Sequence, residues 1–271
     1  KERQQDFAAI PFLQNMSGNK YRDESYIVYA IADFRSRGLP AGHENNSIRH
    51  ILTNLQLYSS VLGGKPFTMD NSIRPRIFES RTLWVAGMTS FSKGIWIADR
   101  TRNKMLLINP ENGSLLGSLS SPVRHIETIT CDGRDLWCTG KSAKMIHKID
   151  TKTGKNLHAI PYPGKRCTAL ASGMGKLWAY DIKGSLYRMD IVSEKIENTI
   201  VVPRGCSDID FHHGRIWLLR RKEIIQIDPA GITIETFQHY GGVFKGLTWY
   251  KNTLYSYNAK SRMLFVFKFP G

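Results

Sequence analysis

The sequence predicts an all-β protein, a five-bladed β-propeller with an N-terminal helical extension, and a six-bladed ring is the alternative. First, an aromatic residue recurs about every 40 residues, at Trp96, Trp137, Trp178, Trp217 and Tyr255. Second, a short marker of small and apolar residues precedes each aromatic, as in Thr128-Ile129-Thr130. Third, each unit holds four short apolar runs separated by turn residues. Four strands in a repeat of this length are typical of a propeller blade.

Each repeating unit is predicted to contain four strands, A to D. Strand A contains the marker, strand B the aromatic, and strand C an apolar run such as "MLLI" or "IIQI". A turn of the Asp-x-x-Thr-Gly type then leads to strand D. The alternative is a sandwich or a solenoid, and a sandwich would not keep one aromatic in register five times.

The last unit ends after strand C, so its blade needs a fourth strand from elsewhere. The segment "RIFESRTLWV", which begins at Arg76, has the composition of a strand and precedes the first marker. We expect this N-terminal strand to complete the last blade, because an open ring would leave an unpaired sheet edge.

Residues 1–75 differ from the repeats and are predicted to form a helical accessory segment, with the propeller in residues 76–271. The stretches "DESYIVYAIADFRSRGLPAG" and "NNSIRHILTNLQLYSSVLGG" place apolar residues at helical spacing and end in glycine. Each therefore has the pattern of a helix with a C-terminal stop signal.

The composition describes a globular and strongly basic chain. It has 271 residues, 41% of them hydrophobic, with a formal net charge of +15. Such a surface attracts anionic partners, although the charge could serve solubility alone. No apolar run approaches the ~20 residues of a membrane-spanning helix. The chain starts at Lys1 without a methionine, which is expected if a leader has been removed or the chain trimmed. A periplasmic or secreted location is therefore slightly favoured.

The propeller topology assigns the charged turns to two faces. Loops B–C and D–A share one end of the blades, here termed the top face, and turns A–B and C–D share the bottom face. The bottom turns mix both signs of charge, and the top face contains the acids Asp99, Glu127, Asp181, Asp208 and Glu223. The predicted anion-binding residues of the top face, here termed the cationic ring, are Arg100, Arg102, Lys104, Arg124, Lys141, Lys144, Lys165, Arg166, Lys183, Arg204, Arg220, Arg221, Lys222, Lys245, Lys260 and Arg262.

Three stretches of the repeats resemble a known superfamily: "GLTWYKNTLYSYN", "LWCTGKSAKMIHKIDTKTGK" and "IWIADRTRNKMLLINPENG". They are similar to the NHL, YVTN, streptogramin-lyase and glutamine-cyclotransferase propellers, and the resemblance covers residues 76–271. It implies a propeller fold and says little about function, because these propellers include binding modules, lyases and cyclases.

The sequence favours a non-enzymatic scaffold that docks an acidic protein or another polyanion on the cationic ring, alone or within a larger assembly. The alternative is an axial-pocket enzyme of lyase or glutamine-cyclotransferase type, with His125, Glu127, Asp208 and His239 as weak catalytic candidates. Nucleic acid is a less favoured partner, because base stacking requires outward aromatics. The candidate aromatics for such stacking are Tyr180, Tyr240 and Tyr257.

No metal or cofactor is predicted. The four cysteines form no Cys-x-x-Cys pair, so we expect buried thiols rather than a zinc site. His212 and His213 are adjacent, and neighbouring residues of a strand point to opposite sides, which disfavours their binding one ion. The tryptophans occupy equal repeat positions and are expected in the core between blades.

Overall fold

The computed structural model describes residues 65–66, 68–73, 83–91, 93–141, 143–239, 243–260 and 262–268. These residues form five sheets, and the five-bladed architecture is confirmed. Two short strands come first, β1 (Lys65–Pro66) and β2 (Thr68–Ile73). The strands that follow belong to the blades in chain order, from the inside of each blade outward: β3 (Val85–Phe91), β4 (Gly94–Asp99), β5 (Lys104–Ile108) and β6 (Leu115–Ser120) in blade 1; β7 (Ile126–Cys131), β8 (Leu136–Gly140), β9 (Met145–Ile149) and β10 (Asn156–Pro161) in blade 2; β11 (Cys167–Gly173), β12 (Lys176–Asp181), β13 (Ser185–Asp190) and β14 (Ile196–Val201) in blade 3; β15 (Asp208–His212), β16 (Arg215–Leu219), β17 (Glu223–Ile227) and β18 (Thr233–Gln238) in blade 4; β19 (Phe244–Tyr250), β20 (Thr253–Asn258) and β21 (Met263–Lys268) in blade 5.

The five innermost strands contact one another in a closed ring. Strand β3 contacts β7, β7 contacts β11, β11 contacts β15, β15 contacts β19, and β19 returns to β3. The strands of each blade pair antiparallel with their sequence neighbours. Because every blade has the same order of strands, the ends of all five β3-like strands meet around one axis.

Blade 5 obtains its fourth strand from the N-terminal side of the repeats. Strand β2 pairs antiparallel with β21, with Thr68 opposite Lys268 and Ile73 opposite Leu264. The fourth strand of blade 5 was predicted in the segment that begins at Arg76, and the strand that pairs there lies earlier in the chain. Strand β1 pairs in parallel with β18 at the outer edge of blade 4. Both predicted helices lie outside the described residues, so the helical extension and the division into two domains stay predictions.

The recurring aromatics form the core between neighbouring blades, as predicted. Trp96, Trp137, Trp178, Trp217 and Tyr255 are at most 9% exposed. Each belongs to a buried cluster that includes residues of the next blade, and Tyr255 packs with blade 1 to complete the cycle. Trp178 stacks on Phe211 of blade 4 with ring centroids 6.1 Å apart. Burying such large side chains is the main driving force that joins blades.

The marker residues of strand A connect neighbouring blades by hydrogen bonds. The hydroxyl of Thr128 accepts the backbone N–H of Leu170 at 3.0 Å, and that of Thr89 accepts the N–H of Cys131 at 3.1 Å. Each bond therefore joins one innermost strand to the next. The marker was detected as a pattern of small residues, and the structure assigns it this physical role.

Glycine is required where blade 5 meets blade 1. Gly246 has a φ of +80°, and a Cβ on it would lie 2.4 Å from Cγ of Met88. Only glycine satisfies both the left-handed backbone and the close approach.

No helix among the described residues has the length and apolar character that crossing a bilayer requires.

Candidate functional site: an axial cavity and its charged surroundings

All five blades contribute to one cavity of about 200 Å³. Its residues lie at the start of strand A, at the end of strand B or in the B–C and D–A connections, which is the end of the blades defined above as the top face. Glu127 comes from blade 2, Tyr180 from blade 3 and Lys245 from blade 5. A cavity lined by every blade lies on the propeller axis.

Glu127 is the acidic residue of the cavity, and two arginines hold it. Its Oε2 lies 2.7 Å from Nη2 of Arg100, and its Oε1 lies 2.7 Å from Nη2 of Arg166. The Glu127 side chain is only 8% exposed. Arg100 also donates from Nε to the carbonyl oxygen of Ile126 at 3.2 Å. Two guanidinium groups on one carboxylate fix the position of the Glu127 side chain.

Aromatic and thiol groups form further parts of the cavity wall. Trp84 is 55% exposed, and the guanidinium of Arg100 lies 5.6 Å from the centroid of its ring. Tyr180 is buried, and its hydroxyl donates to the carbonyl oxygen of Pro203 at 3.2 Å. Cys206 is 7% exposed. The cavity therefore combines an apolar wall with groups of both charges.

Two of the acids on the top face are buried and accept hydrogen bonds. Asp99 is 0% exposed and accepts the backbone N–H of Thr101 at 3.1 Å. Asp181 is 2% exposed, and its Oδ2 accepts the Tyr162 hydroxyl and the Arg166 N–H, both at 2.9 Å. Burial opposes ionisation of Asp181, but these hydrogen bonds outweigh it and lower its pKa. Neither carboxylate contributes exposed negative charge.

Asp208 lies at the closure of the ring. Its Oδ2 accepts the backbone N–H of Leu247 at 2.8 Å and that of Met88 at 3.2 Å, so one carboxyl group joins blades 4, 5 and 1. Asp208 is 0% exposed, and its Oδ1 has no hydrogen-bond partner. Burial raises the pKa of Asp208 well above its ordinary value. On the same strand, Asp210 accepts the N–H of Trp249 at 2.6 Å, and burial raises its pKa to about 7.

The cationic ring divides into exposed and partly buried members. The partly buried ones are Arg100, Arg166, Arg220, Lys245 and Arg262. The exposed ones are Arg102, Lys104, Arg124, Lys141, Lys144, Lys165, Lys183, Arg204, Arg221, Lys222 and Lys260.

Some members of the ring also fasten one loop to another. Nζ of Lys144 donates to the carbonyl oxygen of Gly164 at 3.0 Å. Arg220 donates from Nε to the carbonyl oxygen of Arg204 at 3.0 Å and pairs with Glu223. These side chains span B–C and D–A connections, so the two kinds of loop lie side by side.

The four catalytic candidates do not assemble into one site. Only Glu127 lines the cavity. His125 is exposed and precedes β7 with a φ of 51°. Asp208 is enclosed at the ring closure. His239 is 2% exposed, its Nε2 lies 2.7 Å from the carbonyl oxygen of Arg220, and burial lowers its pKa to about 4.

Two expectations about aromatic and histidine side chains are corrected. Tyr180 and Tyr257 are 1% and 3% exposed, so they are not outward stacking platforms, and Tyr240 lies outside the described residues. His212 and His213 stack with centroids 3.9 Å apart instead of pointing apart. The reason is the turn: His213 has a φ of 48°, which ends the alternation of the strand.

All four cysteines are free thiols. Burial raises the pKa of Cys131, Cys138 and Cys206 to about 12 and also raises that of Cys167. No group of three or more histidine, cysteine, aspartate or glutamate residues suited to a metal ion occurs in the described part of the chain.

Sequence reasoning did not find Trp84, Cys206 and Ser207 as cavity residues. The sequence did mark Trp84, because this tryptophan precedes blade 1 and does not occupy the repeat position that predicts core burial. Cys206 and Ser207 carried none, since a D–A connection shows no periodic pattern.

The fold and the axial cavity define the class of protein, a five-bladed β-propeller. Its structure is similar to that of glutaminyl cyclase from Myxococcus xanthus, with a TM-score of 0.65 and 11% identity over 74% of this chain and 95% of that chain. The likeness to the propellers inferred from the repeats is thereby confirmed at the level of fold.

Two further structures are less similar to this chain. A streptogramin B lyase gives a TM-score of 0.46 at 18% identity over 70% of this chain and 67% of that one. BamB from Moraxella catarrhalis gives 0.42 at 14% identity, over 68% of this chain and 60% of that one. No family model and no protein of curated function matches the chain.

Proposed function

We propose that the protein is a non-enzymatic binding propeller that docks an anionic partner on its top face. The observation that supports this best is the separation of the two charges by burial. Asp99, Asp181 and Asp208 are at most 2% exposed, Glu127 is 6% exposed, and Glu223 is partly buried and paired. Most members of the cationic ring are exposed. The charge that reaches solvent from these loops is therefore mainly positive.

A ring of exposed cations around an axis acts on a partner at a distance. It raises the local concentration of anions and accelerates encounter, and salt weakens both effects because the Debye length is about 8 Å at physiological ionic strength. Lysine and arginine at the tips of separate loops suit a partner with distributed negative charge, such as an acidic protein segment or a polyanion.

The test compares charge reversal on the two faces. The top-face variant is Lys141→Glu, Lys183→Glu and Arg221→Glu, whose residues are exposed and come from three blades. The control variant is Lys152→Glu, Lys155→Glu and Lys195→Glu, whose residues are exposed on the C–D turns. Both variants change the net charge equally.

The assay is retention on heparin and polyphosphate resins in a salt gradient. We expect the top-face variant to elute at much lower salt than the wild type and the control to elute near the wild type, because a docking surface depends on charge position. Equal shifts of the two variants would show that net charge alone determines retention and would reject the proposal.

A second candidate is an axial-pocket enzyme of the glutamine-cyclotransferase or lyase type, and the observation that favours it is the enclosed Glu127 in the axial cavity. Against it stand the ion pairs that Arg100 and Arg166 form with the carboxylate at 2.7 Å each, because a general base needs an oxygen directed at the substrate. The assay is ammonia release from a peptide with an N-terminal glutamine. Release by the wild type that Glu127→Gln abolishes supports the enzyme; release no faster than without protein rejects the cyclotransferase form.

A further inference from the structure

The axial cavity has an apolar wall and an excess of positive charge. Trp84, Val85, Ala86 and Ile182 supply apolar surface, and the Trp84 and Ile182 side chains are 55% and 46% exposed. Arg100, Arg166 and Lys245 surround or line the cavity, whereas Glu127 is its acid. One carboxylate neutralises only part of the charge of three cations. The cavity is therefore complementary to a further negative charge.

Several polar groups at this place have unused hydrogen-bonding capacity. Nε of Arg166 and Oγ1 of Thr168 are shielded from solvent and have no hydrogen-bond partner. Among the described residues, the ammonium group of Lys245 forms no ion pair. Buried polar groups are normally satisfied, and an arginine N–H and a lysine ammonium can only donate. The arginine and lysine groups therefore lack an acceptor, for which a carboxylate is suited. Oε2 of Glu127 also has no hydrogen-bond partner, but its ion pair with Arg100 already holds it.

The size of the cavity limits the ligand. A volume of about 200 Å³ is below the ~300–1,000 Å³ that is typical of sites for drug-sized molecules. It suits one or two side chains, and not a folded polymer segment.

We propose that the cavity receives an acidic side chain and an adjoining apolar side chain of a polypeptide partner, an assignment that rests on the proposed docking of an anionic partner. The carboxylate pairs with Lys245, and the apolar group packs on Trp84. The cationic ring then attracts the rest of the acidic segment. Sulfated polysaccharide and polyphosphate offer negative charge but no apolar side chain, so the exposed tryptophan ring favours a polypeptide. Residues that fill a central pocket in this way provide most of the binding energy of many interfaces.

The probes are three blocked dipeptides: acetyl-glutamyl-phenylalanine amide, acetyl-glutaminyl-phenylalanine amide and acetyl-glutamyl-glycine amide. Titrations followed by calorimetry or NMR are expected to give saturable binding of the first in the millimolar range, and binding about 10-fold weaker for the other two. Tenfold corresponds to one charged hydrogen bond or one well-packed apolar group. Absence of saturable binding of the first probe, or equal binding of all three, overturns the inference.

The variants separate the cavity from the ring. We expect Lys245→Gln and Trp84→Ala each to weaken the first probe about 10-fold, Lys245→Arg to retain binding, and the matched control Lys260→Gln to have no effect. Lys260 is an exposed cation of the same blade that does not line the cavity. Trp84→Ala should leave retention on polyphosphate unchanged. An effect of Lys260→Gln equal to that of Lys245→Gln rejects the site.

The two proposals can fail separately. If the top-face charge reversal lowers polyphosphate retention but Lys245→Gln and Trp84→Ala leave peptide binding unchanged, the cavity assignment is wrong and the docking face stands. If both charge-reversal variants behave alike, the docking face itself is wrong.

Discussion

Replacing Asp210 by asparagine should stabilise the protein at neutral and alkaline pH. Asp210 lies on an innermost strand, is 8% exposed, and accepts the Trp249 N–H at 2.6 Å. No lysine or arginine among the described residues forms an ion pair with it. Burial raises its pKa from 3.8 to about 7. An asparagine keeps an oxygen that can accept the same N–H and carries no charge.

The magnitude follows from the two pKa values. The native state binds the proton of Asp210 more tightly than the unfolded state, so its contribution to stability is complete below pH 3.8 and is lost as the pH rises through about 7. At about 1.4 kcal/mol per pH unit, the loss is about 4 kcal/mol. We therefore expect Asp210→Asn to exceed the wild type by up to about 4 kcal/mol at pH 8 and to match it near pH 4.

The assay is urea denaturation of both proteins between pH 4 and pH 8, followed by tryptophan fluorescence. The informative quantity is the difference in unfolding free energy between variant and wild type, because titrations that the two proteins share cancel. Asp132→Asn is a control whose stability difference from the wild type should stay nearly constant over this range. Burial opposes the ionisation of Asp132, but hydrogen bonds such as that from Trp137 Nε1 at 2.8 Å lower its pKa, so the stability that this carboxylate contributes is already complete above pH 4 and is lost only in more acidic solution. A difference for Asp210→Asn that stays constant with pH would refute the reasoning.

Two further outcomes are expected. Thr128→Val should lower the unfolding free energy by about 1–3 kcal/mol in urea denaturation, because it leaves the Leu170 N–H buried without its acceptor, whereas Thr199→Val on exposed surface should change it little. Equal losses would contradict the role of the marker. The thiols of Cys138, Cys167 and Cys206 should react with a disulfide reagent only on unfolding, since they are buried with raised pKa values; fast reaction of Cys206 in the native protein would contradict this.

The ring of blades was predictable because its cause is periodic. One aromatic in each unit fills the space between two blades, so Trp96 and Trp178 repeat in sequence as they repeat in space. The small marker was equally visible, since Thr89 and Thr128 bond to the next blade from equivalent positions.

The closing strand was misplaced because its sequence lacks such a signal. The strand that pairs with β21 reads "TMDNSI", with two separated apolar residues. The segment from Arg76 has more apolar residues and was therefore chosen. Pairing with a distant strand is a tertiary effect, which local composition does not determine.

The candidate site was predicted only in part, for a different reason. Strand order assigns loop residues to one face, so Arg100, Arg166 and Glu127 were all predicted on the top face. Their joint ion pairs depend on side-chain geometry. The burial of the acids also has no sequence signal. An aspartate that accepts hydrogen bonds from its own loop cannot be distinguished in the sequence from an aspartate exposed to solvent.

The pairing of β2 with β21 has a consequence for biosynthesis. Strand β2 is translated before the four complete blades, but its partner β21 is translated last among the described strands. The pairing of Thr68 with Lys268 can therefore form only after the blades have been synthesised. The first blades can acquire structure as they leave the ribosome, but the circle cannot be sealed until nearly all of this region has emerged. Until then β2 exposes an edge that other chains can bind, so the nascent protein should depend most on chaperones in this interval.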